Sequence, residues 1–202
     1  CFDVFPVEKW IEAFERHFGR HASNLSLVVS GGEPTLDAKN MSALLGELCS
    51  ADHVLNVRID TNASWNPAAF KRIRDRHKIW LNCSFHPSRA KPETFARQIE
   101  DYRAAGYNIG MINFVLENDS RSTFEDLRAR LPEDLPIHPN PRVDRDNDYD
   151  EQTARIFKER LPPLDHEHKF ERVNPRSRRC LHPAVSYQMG PNGAISVACH
   201  EW

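Results

Sequence analysis

Long apolar runs are missing from this sequence of 202 residues. No stretch approaches the ~18 consecutive apolar residues that a membrane-spanning helix needs, and no charged-then-apolar leader opens the chain. Long low-complexity segments are also absent. The composition, 40% hydrophobic, is that of one globular unit with enough apolar residues to build a core. We therefore expect no membrane partner and a cytoplasmic protein.

A strong charge of either sign is missing as well. The formal net charge is -2 and the sequence pI is about 6.6, so there is no bulk attraction to nucleic acid or to an anionic membrane. Residues 71–76 and 176–179 are locally basic. Clusters of this size are typical of solvated surfaces, so we expect no nucleic-acid partner.

The cysteines do not form an even, closely spaced set. There are five, spread over the whole chain, which is not the pattern of a secreted disulfide framework. Reduced thiols or metal ligands are the expected roles. The first residue is Cys1 rather than Met and the sequence stops at Trp202, three residues after Cys199, so we expect a chain truncated at both ends.

Helical and strand periodicities alternate along the first 140 residues. Apolar spacing predicts helices at 7–18, 41–48, 67–76, 92–105 and 123–131, and strands at 25–30, 54–61, 79–85, 108–116 and 135–139. Repeated βα units of this kind predict an α/β fold with a parallel sheet, here a partial (β/α) barrel. We assign residues 1–142 to this unit, 143–178 to a connecting segment, which includes a short helix near 153–160, and 179–202 to a short C-terminal β-hairpin extension.

Polar residues follow several of the predicted strands. Parallel strands end at a common edge, which is where such folds build ligand sites. The first strand runs into two glycines, which let a ligand approach bare backbone, with a carboxylate beside them. The residues at these exits are Gly31, Gly32, Glu33, Pro34, Thr61, Asn62, Ser84, His86, Glu117, Asn118 and His138. Cys83 alternates with Ser84 and is predicted to be core, as is Cys49.

The C-terminal segment forms a motif of its own. Two short apolar runs flank Gly190-Pro191-Asn192-Gly193, which predicts a β-hairpin. Cys180 precedes the hairpin and Cys199 follows it, so the turn brings the two thiols toward each other.

These motifs together resemble the radical S-adenosylmethionine (radical SAM) superfamily. The string Leu-Val-Val-Ser-Gly-Gly-Glu-Pro resembles that family's second strand, whose Gly-Gly-Glu segment holds the amino group of the cofactor's methionine part. Thr61-Asn62 resembles its Thr-Asn-Gly exit, with Ala63 in place of glycine. The terminal hairpin resembles the start of an auxiliary-cluster region of the SPASM or twitch kind.

The resemblance implies roles for individual residues. Gly31, Gly32, Glu33 and Pro34 would bind S-adenosylmethionine at its methionine end. The remaining cofactor-binding positions would be Thr61, Asn62, Ser84, His86 and Asn118, with Ser84 the better candidate for the ribose and His86 also able to face the substrate. Cys1 would be one of three cysteine ligands of a four-iron four-sulfur cluster, and Cys180 and Cys199 would hold an auxiliary iron–sulfur cluster.

The resemblance also implies an activity. A radical SAM enzyme cleaves S-adenosylmethionine reductively to a 5′-deoxyadenosyl radical, which abstracts hydrogen from a substrate. The substrate, a peptide, a sugar or a small metabolite, is not identified by the sequence. A low-potential electron donor such as flavodoxin or ferredoxin would be a further partner. Because two cluster cysteines are missing, we expect this chain alone to be inactive.

Two other functions remain open from the residues. A metal-dependent barrel hydrolase or isomerase could use Glu33, Asp60, His86, Glu117 and His138, which all lie near strand exits. A non-catalytic zinc-binding module could use Cys180, His182, Cys199 and His200 on the terminal hairpin.

Overall fold

The computed structural model describes residues 6–19, 24–140, 149–160, 187–189 and 195–197. The helices are α1 (Val7–Phe18), α2 (Ala38–Ser50), α3 (Pro92–Ala104), α4 (Arg121–Arg130) and α5 (Glu151–Arg160). The strands are β1 (Leu25–Val29), β2 (Val54–Thr61), β3 (Ile79–Phe85), β4 (Asn108–Val115), β5 (Ile137–Asn140), β6 (Tyr187–Met189) and β7 (Ile195–Val197). Two 3-10 turns, Pro67–Phe70 and Arg76–Lys78, lie between β2 and β3.

The first five strands form one parallel sheet in the order β1-β2-β3-β4-β5. Strands added in chain order through right-handed crossovers place their connecting helices on a single face of the sheet. The α/β class with a parallel sheet is therefore confirmed. Closure of the sheet toward a partial barrel stays a prediction.

The hydrophobic core lies between this sheet and the helices. Alternate strand residues such as Ile59, Leu81 and Phe85 are fully buried. They belong to one cluster with Leu45 of α2 and Ile99 of α3. Burial of this apolar layer is the main stabilising contribution, at roughly 25 cal/mol per Å².

The opposite face of the sheet carries polar side chains. In register across the strands, Asp60 lies beside Asn82, and Ser84 lies beside Asn113, which in turn lies beside His138. Because strand side chains alternate between faces, these residues cannot belong to the helix-side core.

A cluster of aromatic rings stabilises the segment that follows β2. The Trp65 ring packs at centroid distances of 4.6 Å on Phe70 and Tyr102. The Tyr102 hydroxyl donates to the Trp65 carbonyl at 2.7 Å. A buried tyrosine needs such an acceptor, so this bond ties α3 to the segment that follows the second strand.

The predicted basic helix at 67–76 is wrong, because the structure has two 3-10 turns there instead. The Asn66 side chain accepts from the amide of Ala68, which starts the first turn. Phe70 and Ile73 are buried, but Arg74 and His77 occupy the positions that would continue an apolar stripe. Without that stripe, nothing stabilises a longer helix against the core.

Strands β6 and β7 pair antiparallel, with Tyr187 opposite Val197 and Met189 opposite Ile195. The strand pairing of the predicted hairpin is therefore confirmed. Its turn and the flanking Cys180 and Cys199 lie outside the described residues.

In the described parts of the chain, no helix is both long and apolar enough to cross a membrane.

Leu45 and Leu36 provide a matched test of this core. Leu45 is 0% exposed, whereas Leu36, in the loop before α2, is 83% exposed. We expect Leu45→Ala to lower the free energy of unfolding by about 2–5 kcal/mol, since it leaves a cavity. Leu36→Ala should change it by less than about 0.5 kcal/mol. Urea denaturation followed by circular dichroism measures both, and equal effects would contradict the packing described here.

Candidate functional site

The carboxyl ends of the parallel strands bring four polar loops to one edge of the sheet. The loops follow β1, β2, β3 and β4 and occupy residues 30–37, 62–66, 86–91 and 116–120. The strand-exit residues predicted from the sequence lie in these loops or in the last residues of the strands, except His138, which is the second residue of β5. Edges of this kind are where α/β proteins place their ligand sites.

Two glycines in left-handed conformations open the first loop. Gly31 has φ 104° and Gly32 has φ 55°, values that residues with a side chain rarely adopt. A Cβ built on either glycine lies more than 4 Å from every described residue other than its chain neighbours. Open space therefore lies beside this stretch of bare backbone, and a ligand can approach its carbonyl and amide groups.

The Glu33 carboxylate joins the first loop to the second. Its Oε1 accepts hydrogen bonds from the Thr61 hydroxyl at 2.8 Å and from the Thr35 amide at 3.2 Å, and it also contacts the Thr35 hydroxyl. Its Oε2 accepts from the Asn62 amide at 2.6 Å. Three of the residues predicted for the site, Glu33, Thr61 and Asn62, are thus in direct contact.

The two oxygens of the Glu33 carboxylate accept different numbers of hydrogen bonds. Oε1 of Glu33 already accepts from three donors, while Oε2 accepts from Asn62 alone. A carboxylate has about four acceptor positions, so capacity remains at Oε2. Thr35, which is 3% exposed, was missed by sequence reasoning. Its position two residues after a loop carboxylate is the signal that could have revealed it.

The second loop continues in a strained conformation at Ala63. This residue has φ 59°, in the left-handed region that glycine prefers. Its amide donates to the Thr61 hydroxyl oxygen at 3.1 Å. Thr61 therefore donates to Glu33 and accepts from Ala63, which fixes the turn after β2.

The third strand contributes Ser84 and His86. Ser84 is half-buried on the polar face of the sheet, and His86 is half-buried directly after the strand. Two residues further on, the Ser88 hydroxyl donates to Oε1 of Glu117 at 2.8 Å. This bond joins the third loop to the fourth.

The fourth loop is fixed by Asp150, the residue before α5. Oδ2 of Asp150 accepts from the Asp119 amide at 2.9 Å, and Oδ1 accepts from the Thr153 amide at 2.9 Å. The Asp150 amide in turn donates to the Asn118 side-chain oxygen at 3.3 Å. The Asn118 side chain is therefore engaged with the protein, although the residue is exposed.

These donors stabilise the ionised form of Asp150. The amide of Asp119, then the amide and hydroxyl of Thr153, lower the pKa of this carboxyl from its usual 3.8 to about 2. The Asp150 side chain accepts a hydrogen bond from the amide three residues later in the chain, which is also the geometry of a helix N-cap. Asp150 thus starts α5 and holds the loop that carries Asn118.

Sequence reasoning named Asp60, Ser84 and His138 but missed Arg58, Asn82 and Asn113 on the polar face of the sheet. Nε of Arg58 lies 3.0 Å from Oδ1 of Asp60 in a half-buried ion pair. Asn82 is 5% exposed. Gly110 leaves room for it, since a Cβ there would lie 2.6 Å from its Oδ1. The polar–apolar alternation over residues 56–60 of β2 and 81–85 of β3 is the signal that could have shown this face.

The described residues contain no group of three or more His, Cys, Asp or Glu side chains that could hold a metal ion. Three of the five residues proposed for a metal-dependent hydrolase have protein partners instead. Glu33 is bound by the second loop, Asp60 pairs with Arg58, and Glu117 accepts from Ser88.

The cysteines divide into two sets. Cys49 and Cys83 are fully buried, as predicted, and burial raises the pKa of the Cys49 thiol to about 11 and that of Cys83 further. Such thiols are poor nucleophiles and poor metal ligands. The residues proposed for the clusters or for zinc lie outside the described residues: Cys1, Cys180, His182, Cys199 and His200.

Thr61→Val tests the contact between the first two loops. The variant keeps the side-chain shape but removes the donor to Glu33 and the acceptor for the buried Ala63 amide. We expect the free energy of unfolding to fall by about 1–3 kcal/mol, because a buried donor loses its partner. Thr94→Val, at an exposed position of α3, is the matched control and should cost less than about 0.5 kcal/mol. Similar losses in both variants, measured by urea denaturation, would refute the role of Thr61.

Asp150 predicts a pH dependence of stability. Its folded pKa lies below its unfolded value, so its contribution is complete above about pH 4 and is lost as the pH falls through about 2. Wild type should therefore be more stable than Asp150→Asn at pH 6, and the difference should shrink steadily toward pH 2. Thermal unfolding across this range measures the difference. A difference that is independent of pH would contradict the assignment.

Neither the family models nor the curated proteins contain a match to this sequence. The function is accordingly inferred from the strand-edge loops and the polar face of the sheet.

Proposed function

We propose that the chain is part of a radical SAM enzyme, with S-adenosylmethionine bound at the carboxyl edge of the five-stranded sheet. The observation that carries the proposal is the first loop, where Gly31 and Gly32 leave open space beside bare backbone and Glu33 is tied to Thr61 and Asn62. The proposed fold is a partial (β/α) barrel, with which the parallel sheet is compatible.

The first loop suits the methionine end of the cofactor. An ammonium group is a donor only, so it needs several acceptors. The carbonyls beside Gly31 and Gly32 are reachable because no Cβ shields them, and Oε2 of Glu33 has acceptor capacity left. Pro34 restricts the conformation of Glu33, which keeps the carboxylate beside the glycines. In this proposal Glu33 both positions the loop and binds the ammonium.

The other loops suit the rest of the cofactor. Ser84 lies at the end of β3, and His86 follows the strand directly. In this proposal their hydroxyl and imidazole groups bind the ribose hydroxyls of the cofactor. Asn118 lies on the fourth loop, which Asp150 holds in place. The donors of Asn118 remain for the cofactor, since its bond to Asp150 uses the side-chain oxygen.

The iron–sulfur chemistry belongs to the cofactors. Cys1 would be one ligand of a four-iron four-sulfur cluster, and the proposal requires two further cysteines outside these 202 residues. The bound cofactors would supply the reductive cleavage of S-adenosylmethionine and the hydrogen-abstracting radical, while the residues of this chain would bind and orient the methionine end of the cofactor. Cys180 and Cys199 would hold an auxiliary iron–sulfur cluster.

The substrate would lie against the polar face of the sheet. Asn82 offers an amide there, and Ser84, Asn113 and His138 form a polar row in register beside it. These groups can donate and accept hydrogen bonds, which a polar substrate needs. The chemical identity of the substrate is left open by these groups.

The test compares this chain with a longer one that supplies two cysteines upstream of Cys1. Both are reconstituted anaerobically with iron and sulfide, then reduced with dithionite in the presence of S-adenosylmethionine. We expect only the longer chain to gain about four irons and absorbance near 400 nm, as a cysteine-held cluster requires, and to form 5′-deoxyadenosine. Failure of both chains to bind iron and sulfide, with zinc or manganese bound instead, would replace this proposal with a hydrolase or a zinc module.

A pair of glycine variants tests the location of the cofactor. Gly32→Ala places a methyl group in the open space, within 4 Å of no described residue other than its chain neighbours, and strains the loop backbone, because φ at this position is 55°. In the longer chain it should reduce 5′-deoxyadenosine formation by roughly tenfold or more, since a misplaced cofactor loses its binding geometry. Gly46→Ala, equally uncrowded but within α2, should leave formation unchanged and stabilise the helix by about 0.5–1 kcal/mol. Equal activity in the two variants would show that the cofactor does not bind at the first loop.

A further inference from the structure

The parallel sheet carries one pair of opposite charges. Arg58 and Asp60 lie two residues apart on β2, and the five described strands of the sheet contain no other Asp, Glu, Lys or Arg. Residues two apart on a strand share a face, here the polar face opposite the helices. Both side chains are half-buried, with 43% and 31% of their surface exposed. A cation and an anion thus lie together on a face whose strands offer no other group of either kind.

The pair leaves bonding capacity on both partners. Nε of Arg58 lies 3.0 Å from Oδ1 of Asp60, and Nη2 of Arg58 donates to Oδ2 at 3.3 Å. The Nε and Oδ1 atoms are buried, but they are not aligned for a hydrogen bond with each other. A guanidinium has more N–H donors, and a carboxylate more acceptor positions, than this pair uses. A ligand that carries both a carboxylate and an ammonium group can therefore bind to the two side chains together.

Exposed apolar side chains flank the cation. In register, Arg58 lies between Val28 of β1 and Trp80 of β3. Val28 is 51% exposed and Trp80 is 44% exposed, although most large hydrophobic side chains of the described strands are buried. Neighbouring strands are about 4.8 Å apart, so both side chains lie within reach of a group bound at Arg58. Apolar surface beside a few placed polar groups is typical of small-molecule sites.

These features favour an amino acid over other small molecules. A neutral sugar has no charge to match either Arg58 or Asp60. A phosphate ester would place a dianion beside the Asp60 carboxylate, and the two like charges would repel each other. An α-amino acid supplies one carboxylate for Arg58 and one ammonium group for Asp60. A large apolar side chain on that amino acid would cover Val28 and Trp80.

We infer that Arg58, Asp60, Val28 and Trp80 bind an α-amino acid with an apolar side chain, an assignment of the substrate class that rests on the proposed function. The guanidinium would hold the carboxylate of the amino acid in a bidentate pair. Val28 precedes Gly31 by three residues, or about 10 Å along the strand. An amino acid held at Arg58 would therefore lie close to the glycine loop without occupying it.

The test titrates L-phenylalanine into this chain and follows the indole N–H signal of Trp80 by NMR, with Trp80→Phe to assign the signal. We expect a saturable shift with a Kd of about 1 mM or tighter. 2-Phenylethylamine lacks the carboxylate and 3-phenylpropionate lacks the ammonium group, so each should bind roughly tenfold more weakly or worse. No saturation by about 10 mM L-phenylalanine, or equal binding of the three compounds, would overturn the inference.

Charge variants test the two side chains separately. Arg58→Gln should weaken the binding of L-phenylalanine roughly tenfold or more. The matched control is Arg103→Gln, because Arg103 is 42% exposed and also pairs with an aspartate, Asp134, but lies on α3. The control should bind within about twofold of wild type, since it is remote from the polar face. Equal losses in the two variants would contradict the site.

Asp60→Asn distinguishes recognition of the ammonium group from a general loss of structure. It should weaken the binding of L-phenylalanine roughly tenfold, because the ammonium group loses its charged partner. It should not weaken the binding of 3-phenylpropionate, which has no ammonium group and no longer competes with a carboxylate for Arg58. Loss of both compounds would refute the role of Asp60.

Competition separates two sources of the same ligand chemistry. The methionine part of S-adenosylmethionine also carries a carboxylate and an ammonium group, but it is proposed to bind at the first loop. S-adenosylmethionine should therefore leave the affinity for L-phenylalanine unchanged, whereas competitive displacement would assign the pair to the cofactor and overturn the inference. These titrations need no iron–sulfur cluster. If the longer chain forms no 5′-deoxyadenosine, the proposed function fails, and the titrations still decide whether the pair binds an amino acid.

Discussion

The parallel pairing of five strands in chain order is the constraint on which the rest of the structure depends. Parallel neighbours need crossover connections, and crossovers of one hand place the helices on one face of the sheet. That face becomes the apolar core, with Ile59, Leu81 and Phe85 among its fully buried residues. The same pairing brings the strand ends to one edge, so four loops that are distant in sequence become neighbours. The core and the site are consequences of a single topology.

At that edge, the Glu33 carboxylate links the first two loops by hydrogen bonds. Glu33 accepts from Thr35, Thr61 and Asn62, so the glycine loop cannot move independently of the second strand. Ser88 and Glu117 make the corresponding link between the third and fourth loops. Each link uses a side chain to satisfy loop donors that secondary structure leaves unpaired. The open space beside the glycines is thus bordered by side chains that hydrogen bonds fix in place.

The two faces of the sheet differ in chemistry. One face packs against the helices and forms the apolar core. The other face carries Asp60, Asn82, Ser84 and Asn113, whose hydrogen-bonding groups lie close to the strand ends. Because strand side chains alternate, both faces adjoin the same loop edge.

The sequence by itself determined the order of strands and helices, since periods of 2 and 3.6 are local properties of the chain. It also marked Gly31–Glu33 and Thr61–Asn62 as strand exits. The sequence predicted a helix in the basic segment after Pro67, and this prediction was wrong. Phe70 and Ile73 are buried there, but two buried residues do not form the apolar helix face that packing against the core requires. Tertiary structure alone decided the two bonds from Thr61 and Asn62 to Glu33 and the bond from Ser88 to Glu117. These depend on distances between residues about 30 positions apart, and no local pattern encodes such distances.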